Sequence, residues 1–218
     1  MKLIGPWFSG YTRRVGVTLN LLNIRFEHLP YNAYLQREQV KAFSPMMRVP
    51  ALELANGQVL IDSGAIVDYL DSLVAPDARL MPADGADRMR AMQLVGYATA
   101  TYDKLARYCD ELMLRSEPYR MQSLLDGYAQ QMLIGLGVLD RAHADPWFLG
   151  RKISQADVMA VIAFQSASSL IPNEVNSMTF PKIAALAQQA MQFEAFSSTL
   201  PTQKDLEAAG LVNMTRGA

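Results

Sequence analysis

The sequence predicts an α/β domain followed by an all-α domain. Three observations carry this. Short strand and helix signals alternate through the first 75 residues. A stretch rich in Pro, Asp, Ala and Gly, APDARLMPADGADR (75–88), then interrupts the pattern. Beyond it only helical patterns remain. The expected division is an α/β domain over 1–75, a linker over 76–86 and a helical domain over 87–218.

Lys2 to Ile4 has the composition of a short strand. The helix after it carries Val15, Leu19 and Leu22 at i, i+4 and i+7, a single apolar stripe. Arg25 to Leu29 suits a second strand, and Leu35 to Phe43 a short, weakly patterned helix. Asn56-Gly57 sits between Ala51–Leu54 and Val59–Ile61, the signature of a tight hairpin with φ > 0 in its turn. Ser63 opens a third helix with the stripe Ile66, Tyr69, Leu70 and Leu73. The order β-α-β-α-β-β-α implies a mixed sheet flanked by helices, its first two strands parallel.

Residues 87 to 115 contain no Pro and one Gly, enough for a long helix that Glu117-Pro118 ends. A second helix is expected over about 119–143. A third runs from Ser154 to about Leu170, and Pro181 suits the first turn of a fourth. In ISQADV (153–158), Ser154 and Asp157 form a capping-box pair, with Ile153 and Val158 as its hydrophobic staple. Asp157 is therefore expected to be structural.

Composition narrows the function classes. Twenty Lys and Arg against 21 Asp and Glu give a net charge of −1, and the pI is near 6.1. That balance offers no electrostatic reason to expect nucleic acid or a membrane surface as partner, and it leaves self-association open. The single cysteine, Cys109, excludes an intramolecular disulfide and a multi-cysteine metal site, so no metal is expected and a reducing compartment suits the chain. Gly5, Pro6 and Ser9 to Arg14 break up any secretory apolar run, and no apolar stretch of about 18 residues exists. The expected location is the cytoplasm.

Three places invite a functional reading. Ser9 lies between the first strand and the first helix, as a plain N-cap or as a hydrogen-bond donor to an anion at the helix start. It is no hydrolase nucleophile: the two histidines, His28 and His143, lie in no triad signature and are expected to be structural, and no G-x-S-x-G elbow exists. Val49-Pro50 leads into a predicted strand. It is either an ordinary trans turn or a cis turn that points the Val49 N–H and C=O outward, ready to pair with an extended peptide. Asp62-Ser63 is either a simple cap or a site for a group bearing both charges. In the second case the helix N-terminus and Ser63 take a carboxylate and Asp62 an ammonium, the two ends of an α-amino acid.

Taken together, FSGYTRRV, SPMMRVPALEL, IDSGAIVDYL and WFLGRKISQADVMAVIAF resemble the cytosolic glutathione transferase family, serine-type, in order and spacing across nearly the whole chain. The resemblance implies a thioredoxin-like N-terminal domain, an all-helical C-terminal domain and a homodimer. It implies a cis Val49-Pro50 bond and backbone pairing of Val49 with the cysteinyl part of glutathione. Asp62 and Ser63 match the acidic-Ser pair that holds the γ-glutamyl end, and Arg48 fills a slot that in some members carries a Lys for the glycine carboxylate. Ser9 falls where members place the residue facing the thiol, with Tyr11 and Thr12 nearby, and Gly10 stands where many similar sequences have Pro. The expected chemistry is conjugation of the glutathione thiolate, as co-substrate, to a small hydrophobic electrophile, a detoxification reaction. Trp7, Phe8, Tyr102 and Tyr108 are candidate walls for that second substrate. Cys109 is expected to be packed as a small apolar residue. The rivals are a glutathione-dependent isomerase, lyase or peroxidase on the same fold, and a non-catalytic binding protein.

Overall fold

The computed structural model describes residues 1–142 and 145–208; His143 lies outside them. Two compact units emerge. The first is Met1–Met81 together with the described residues from Met191 onward, and the second is Pro82–Ala190. Sequence reading draws the boundary near the same linker but assigns everything after it to the helical domain. The returning segment is joined to the first unit by long-range bonds, which no local pattern announces.

The first unit is thioredoxin-like. Four strands, β1 (Lys2–Ile4), β2 (Glu27–Leu29), β3 (Ala51–Glu53) and β4 (Val59–Ile61), lie in the order β2-β1-β3-β4. β1 and β2 are parallel, while β3 runs antiparallel to β1 and to β4. Helices α1 (Gly10–Leu21), α2 (Arg37–Lys41) and α3 (Ser63–Ser72) connect them. Leu3, Val15, Leu19, Leu22, Leu52, Ile66 and Leu70 form the core, so both predicted helical stripes turn inward. Leu73 is the exception: as the C-cap of α3 it is largely exposed.

Local chemistry explains the boundaries. α1 stops because Asn23 adopts φ 55° and the chain closes a Schellman motif, with Ile24 N–H on the Leu19 carbonyl and Asn23 N–H on that of Asn20. That wrap delays β2 to Glu27, two residues later than expected. α2 is shorter than expected because Asn32 and Gln36 build a side-chain turn over Tyr34 and Leu35. In the hairpin only Gly57 is left-handed, at φ 81°. Gly57 N–H donates to the Leu54 carbonyl and Leu54 N–H to that of Gln58, a three-residue loop instead of the two-residue turn that Asn-Gly favours.

The second unit contains α4 (Gly85–Leu114), a 3₁₀ turn at Glu117–Tyr119, α5 (Gln122–Ala142), α6 (Gln155–Leu170) and α7 (Pro181–Ala190). α6 is its axis: Val158 to Phe164 are all buried, the mark of a helix surrounded by others. Its start is fastened by Asp157, which accepts from Phe148 N–H at 2.9 Å and from Ser154 N–H and Oγ–H at 2.8 and 2.6 Å. The capping box of the sequence is thus present, extended to a third donor. Asp140 of α5 caps α7 by accepting from the N–H groups of Lys182 and Ile183. The returning segment adds α8 (Glu194–Ser197) and α9 (Gln203–Ala208) to the first unit. No helix among the described residues is long and apolar enough to cross a membrane.

Candidate active site

The sheet register brings the candidate residues of the first unit to one end. Ile4, Ala51 and Ile61 form a single cross-strand row. The residues just past that row, Gly5, Pro50 and Asp62, therefore emerge together, and each begins a candidate segment.

From β1 the chain runs Gly5-Pro6-Trp7-Phe8 to Ser9. Ser9 is the N-cap of α1: its Oγ accepts from Thr12 N–H at 3.4 Å, and its carbonyl from Arg13 N–H at 2.9 Å. The side chain is partly exposed. Its own O–H has no acceptor among the described residues, so a donor remains at the positive end of the α1 dipole. Thr12 does not compete for that role. Its Oγ1 is buried without a partner, against Gly5, where any Cβ would collide with it. Tyr11 lies near enough to Arg14 to act on its charge.

On the β3 side the Val49-Pro50 bond is cis. The backbone N–H and C=O of Val49 have no partner among the described residues, and its Cβ lies close to the space left by the missing Cβ of Gly5. Arg48 is exposed, with its N–H on Ser44 Oγ at 3.3 Å. The structure gives its side chain no contact with the other candidates.

At the end of β4, Asp62 takes φ 71° and ψ 125°, a conformation few non-glycine residues adopt. Its Oδ1 caps α3 by accepting from Gly64 N–H at 2.8 Å. Ser63 is buried beside it and accepts at Oγ from Arg14 Nη1 at 3.4 Å. Arg14 is the member that sequence reading misses. Only 5 % of it is exposed, and burial pulls its guanidinium down to about 10, against the upward pull of Asp62 and Tyr11. It stays charged at neutral pH. A buried cation, a hydroxyl and a carboxylate thus meet at the N-terminus of α3, an array that can complement an α-amino acid at both charges. A sequence signal for Arg14 exists: no acid occurs between residues 5 and 26, so the two arginines of α1 must find distant partners.

The remaining candidates sort by burial. Trp7 is partly exposed, packs on the core and stacks on His28, centroids 3.8 Å apart, and Phe8 beside it is partly exposed. Tyr102 is buried within α4, while Tyr108 is partly exposed. Burial pushes the Cys109 thiol up to about 12, so it holds no thiolate at neutral pH.

Comparison with known proteins bears on the fold and the family. Residues 3–78 match the family model described as "Glutathione S-transferase, N-terminal domain". The maleylpyruvate isomerase of a Ralstonia species is 36 % identical over 100 residues, 44 % of this chain and 46 % of that protein, so the match spans less than half of its length. The maleylacetoacetate isomerase of Pseudomonas aeruginosa is 26 % identical over 216 residues, 96 % of this chain and all of that protein. Among solved structures, a glutathione transferase family member from Pseudomonas fluorescens Pf-5 with bound glutathione superposes with a TM-score of 0.82 at 27 % identity, covering 92 % of this chain and 98 % of that one. With the strand order, the cis proline and the two capped helices at one sheet end, these matches lead to one conclusion: residues 3–78 form a glutathione S-transferase N-terminal domain, in a chain whose full length is similar in sequence and fold to members of that family.

Proposed function

We propose that this protein is a serine-type glutathione transferase that binds glutathione as co-substrate and stabilises its thiolate with the hydroxyl of Ser9. The observation that carries the reading is the open O–H of Ser9 at the N-cap of α1, at the same sheet end as Val49 and the Arg14–Ser63–Asp62 cluster. In this reading the cluster holds the γ-glutamyl end, with Ser63 and the α3 amides on its carboxylate, Asp62 on its ammonium and Arg14 supplying positive charge behind Ser63. Val49 pairs with the cysteinyl backbone, and Arg48 reaches the glycine carboxylate from the surface.

The energetics suffice. A free thiol has a pKa of about 8.5. Lowering it by about two units takes roughly 3 kcal/mol. One hydrogen bond to a charged acceptor supplies about 1.5–3 kcal/mol and the helix dipole up to about 1. Ser9 keeps its proton throughout. The sulfur attacks an electrophilic carbon of a small apolar substrate, forming the C–S bond as a leaving group departs or a double bond takes up the electron pair.

The isomerases among the relatives give a second reading specific support. The same thiolate can add to a cis double bond, allow rotation and leave again, regenerating glutathione. A steady-state assay separates the two. An aryl halide consumed together with glutathione supports transfer, whereas a cis-enone diacid isomerised with no net loss of glutathione supports isomerisation. A chain that binds no glutathione at millimolar concentration is neither.

In this reading the enzyme works in the cytoplasm, detoxifies electrophiles and pairs with a second copy of itself. Met89, Met92 and Tyr97 support the pairing: they are exposed at i, i+3 and i+8 on one side of α4, an apolar strip that a partner would cover.

A further inference from the structure

The segment that delivers Ser9 is short, and one side chain holds it at two points. His28 lies on β2, the edge strand. Its Nε2 is 2.8 Å from the Gly5 carbonyl oxygen. A carbonyl can only accept, so Nε2 carries the hydrogen and Nδ1 is the site left to titrate. The same imidazole lies nearly flat on the indole of Trp7, the planes 20° apart. Trp7 in turn presses on α1 at Gly16, where a Cβ would collide with two carbons of the indole. The segment is closed by Gly5 N–H on the Leu29 carbonyl and Ser9 N–H on the Pro6 carbonyl. Between the end of β1 and the cap of α1, the histidine thus grips both the backbone and a ring. Burial keeps the imidazole below its usual range, opposed by the Gly5 bond and by Asp205 of α9, so the ring is neutral at neutral pH.

Packing alone does not call for a histidine here. A phenyl ring would stack on Trp7 equally well and would leave the Gly5 carbonyl unheld. We infer that His28 is a positioning residue: by holding Gly5 through its carbonyl and Trp7 through its ring, it fixes the Pro6–Ser9 segment and so the place and direction from which the Ser9 hydroxyl meets an incoming sulfur. The catalytic consequence rests on the proposed glutathione thiolate; the mechanical one does not.

The test uses the full chain with His28→Phe, which keeps the stack and loses the donor, and His28→Gln, which keeps a donor and loses the ring. Amide exchange is followed at Thr12 and Arg13, whose N–H groups bond to Ser9 Oγ and Ser9 O, with Val17 to Leu19 as internal reference. In His28→Phe, exchange at Thr12 and Arg13 rises about tenfold relative to the reference, a loss that reports local opening of the cap. With glutathione bound, the ultraviolet thiolate titration moves up by about half a unit to one unit and kcat at neutral pH falls several-fold, while KM for glutathione stays within about twofold. His28→Gln recovers at least half of each change. Should His28→Phe fail to fold, His28→Leu, which loses both contacts, is set against His28→Gln, which keeps the donor, and the same rise at Thr12 and Arg13 is expected in the leucine variant relative to the glutamine one. Unchanged relative exchange at Thr12 and Arg13 overturns the inference, whatever happens to overall stability. If the wild-type thiol itself titrates like free glutathione, the role given to Ser9 falls, and the exchange measurement still decides for or against His28.

Discussion

Arg13 and Arg14 are neighbours in sequence and both are buried, yet they serve different ends. Arg13 reaches the returning segment, donating from Nε to Thr199 Oγ1 and from Nη2 to the Phe196 carbonyl, each at 3.4 Å. Arg14 turns instead to Ser63 and Asp62. Their removal should separate in the same way. Arg14→Met weakens glutathione binding by about tenfold, near 1.4 kcal/mol, in a calorimetric titration. Arg14→Lys recovers little of it, since a point charge cannot replace the planar fork. Arg13→Met leaves that affinity within about twofold and lowers the thermal midpoint, as an interaction between distant parts of one unit is lost. Ser9, Val49, Asp62 and Ser63 can be picked out in the sequence because each stands at a junction between elements, where caps and turns have strong residue preferences. Arg14 sits inside a helix, where no junction marks it. The left-handed φ of Asp62 is equally silent in sequence, because Asp before Ser also describes an unstrained cap.

Elements show the same division between local and distant causes. α6 is announced by its capping box and staple, and the structure adds a third donor to Asp157 that lies nine residues away at Phe148. Asp157→Ala should therefore cost about 2–4 kcal/mol, more than a surface cap, since it orphans two buried amides. Thermal melts would show this as a drop on the order of 10 °C, with the thiolate titration unchanged. The β2 edge makes a prediction of a different kind. The imidazole of His28 is held below its ordinary value by burial, so the unfolded chain binds its proton more readily than the folded one. Its contribution to stability is complete above about pH 6.5 and is lost as pH falls through the lower folded value. Melts between pH 7.5 and 5 should show a decline that His28→Gln flattens, with Asp205 the acid that moderates it. Short elements without such chemistry, α8 and α9, escaped sequence reading because four and six residues carry too little periodicity to stand out.

For the molecule as a whole, the first unit has its origin in local signals, and its closure in long-range ones. The parallel first pair and the helical stripes follow from the alternation of the first 75 residues, whereas the order β2-β1-β3-β4 rests on strand pairing that no local pattern announces. The attachment of residues from Met191 onward follows from Arg13 and from Asn20, whose side chain bonds Ser198, and neither pairing has a signature along the chain. The exposed strip of α4 belongs to this scale as well. Light scattering should find about twice the 24.2 kDa chain mass, and Met92→Lys, placing a charge in the strip, should shift it toward one. The central claim is narrower: a neutral alcohol at the start of α1 makes the glutathione thiolate available at physiological pH. The most direct measurement is the pH titration of thiolate absorbance in the bound complex, wild type against Ser9→Ala. The account predicts a wild-type midpoint about two units below that of free glutathione and an upward shift of about one to two units in the variant, with affinity for the tripeptide nearly unchanged. Superimposable titrations of the two proteins would contradict it.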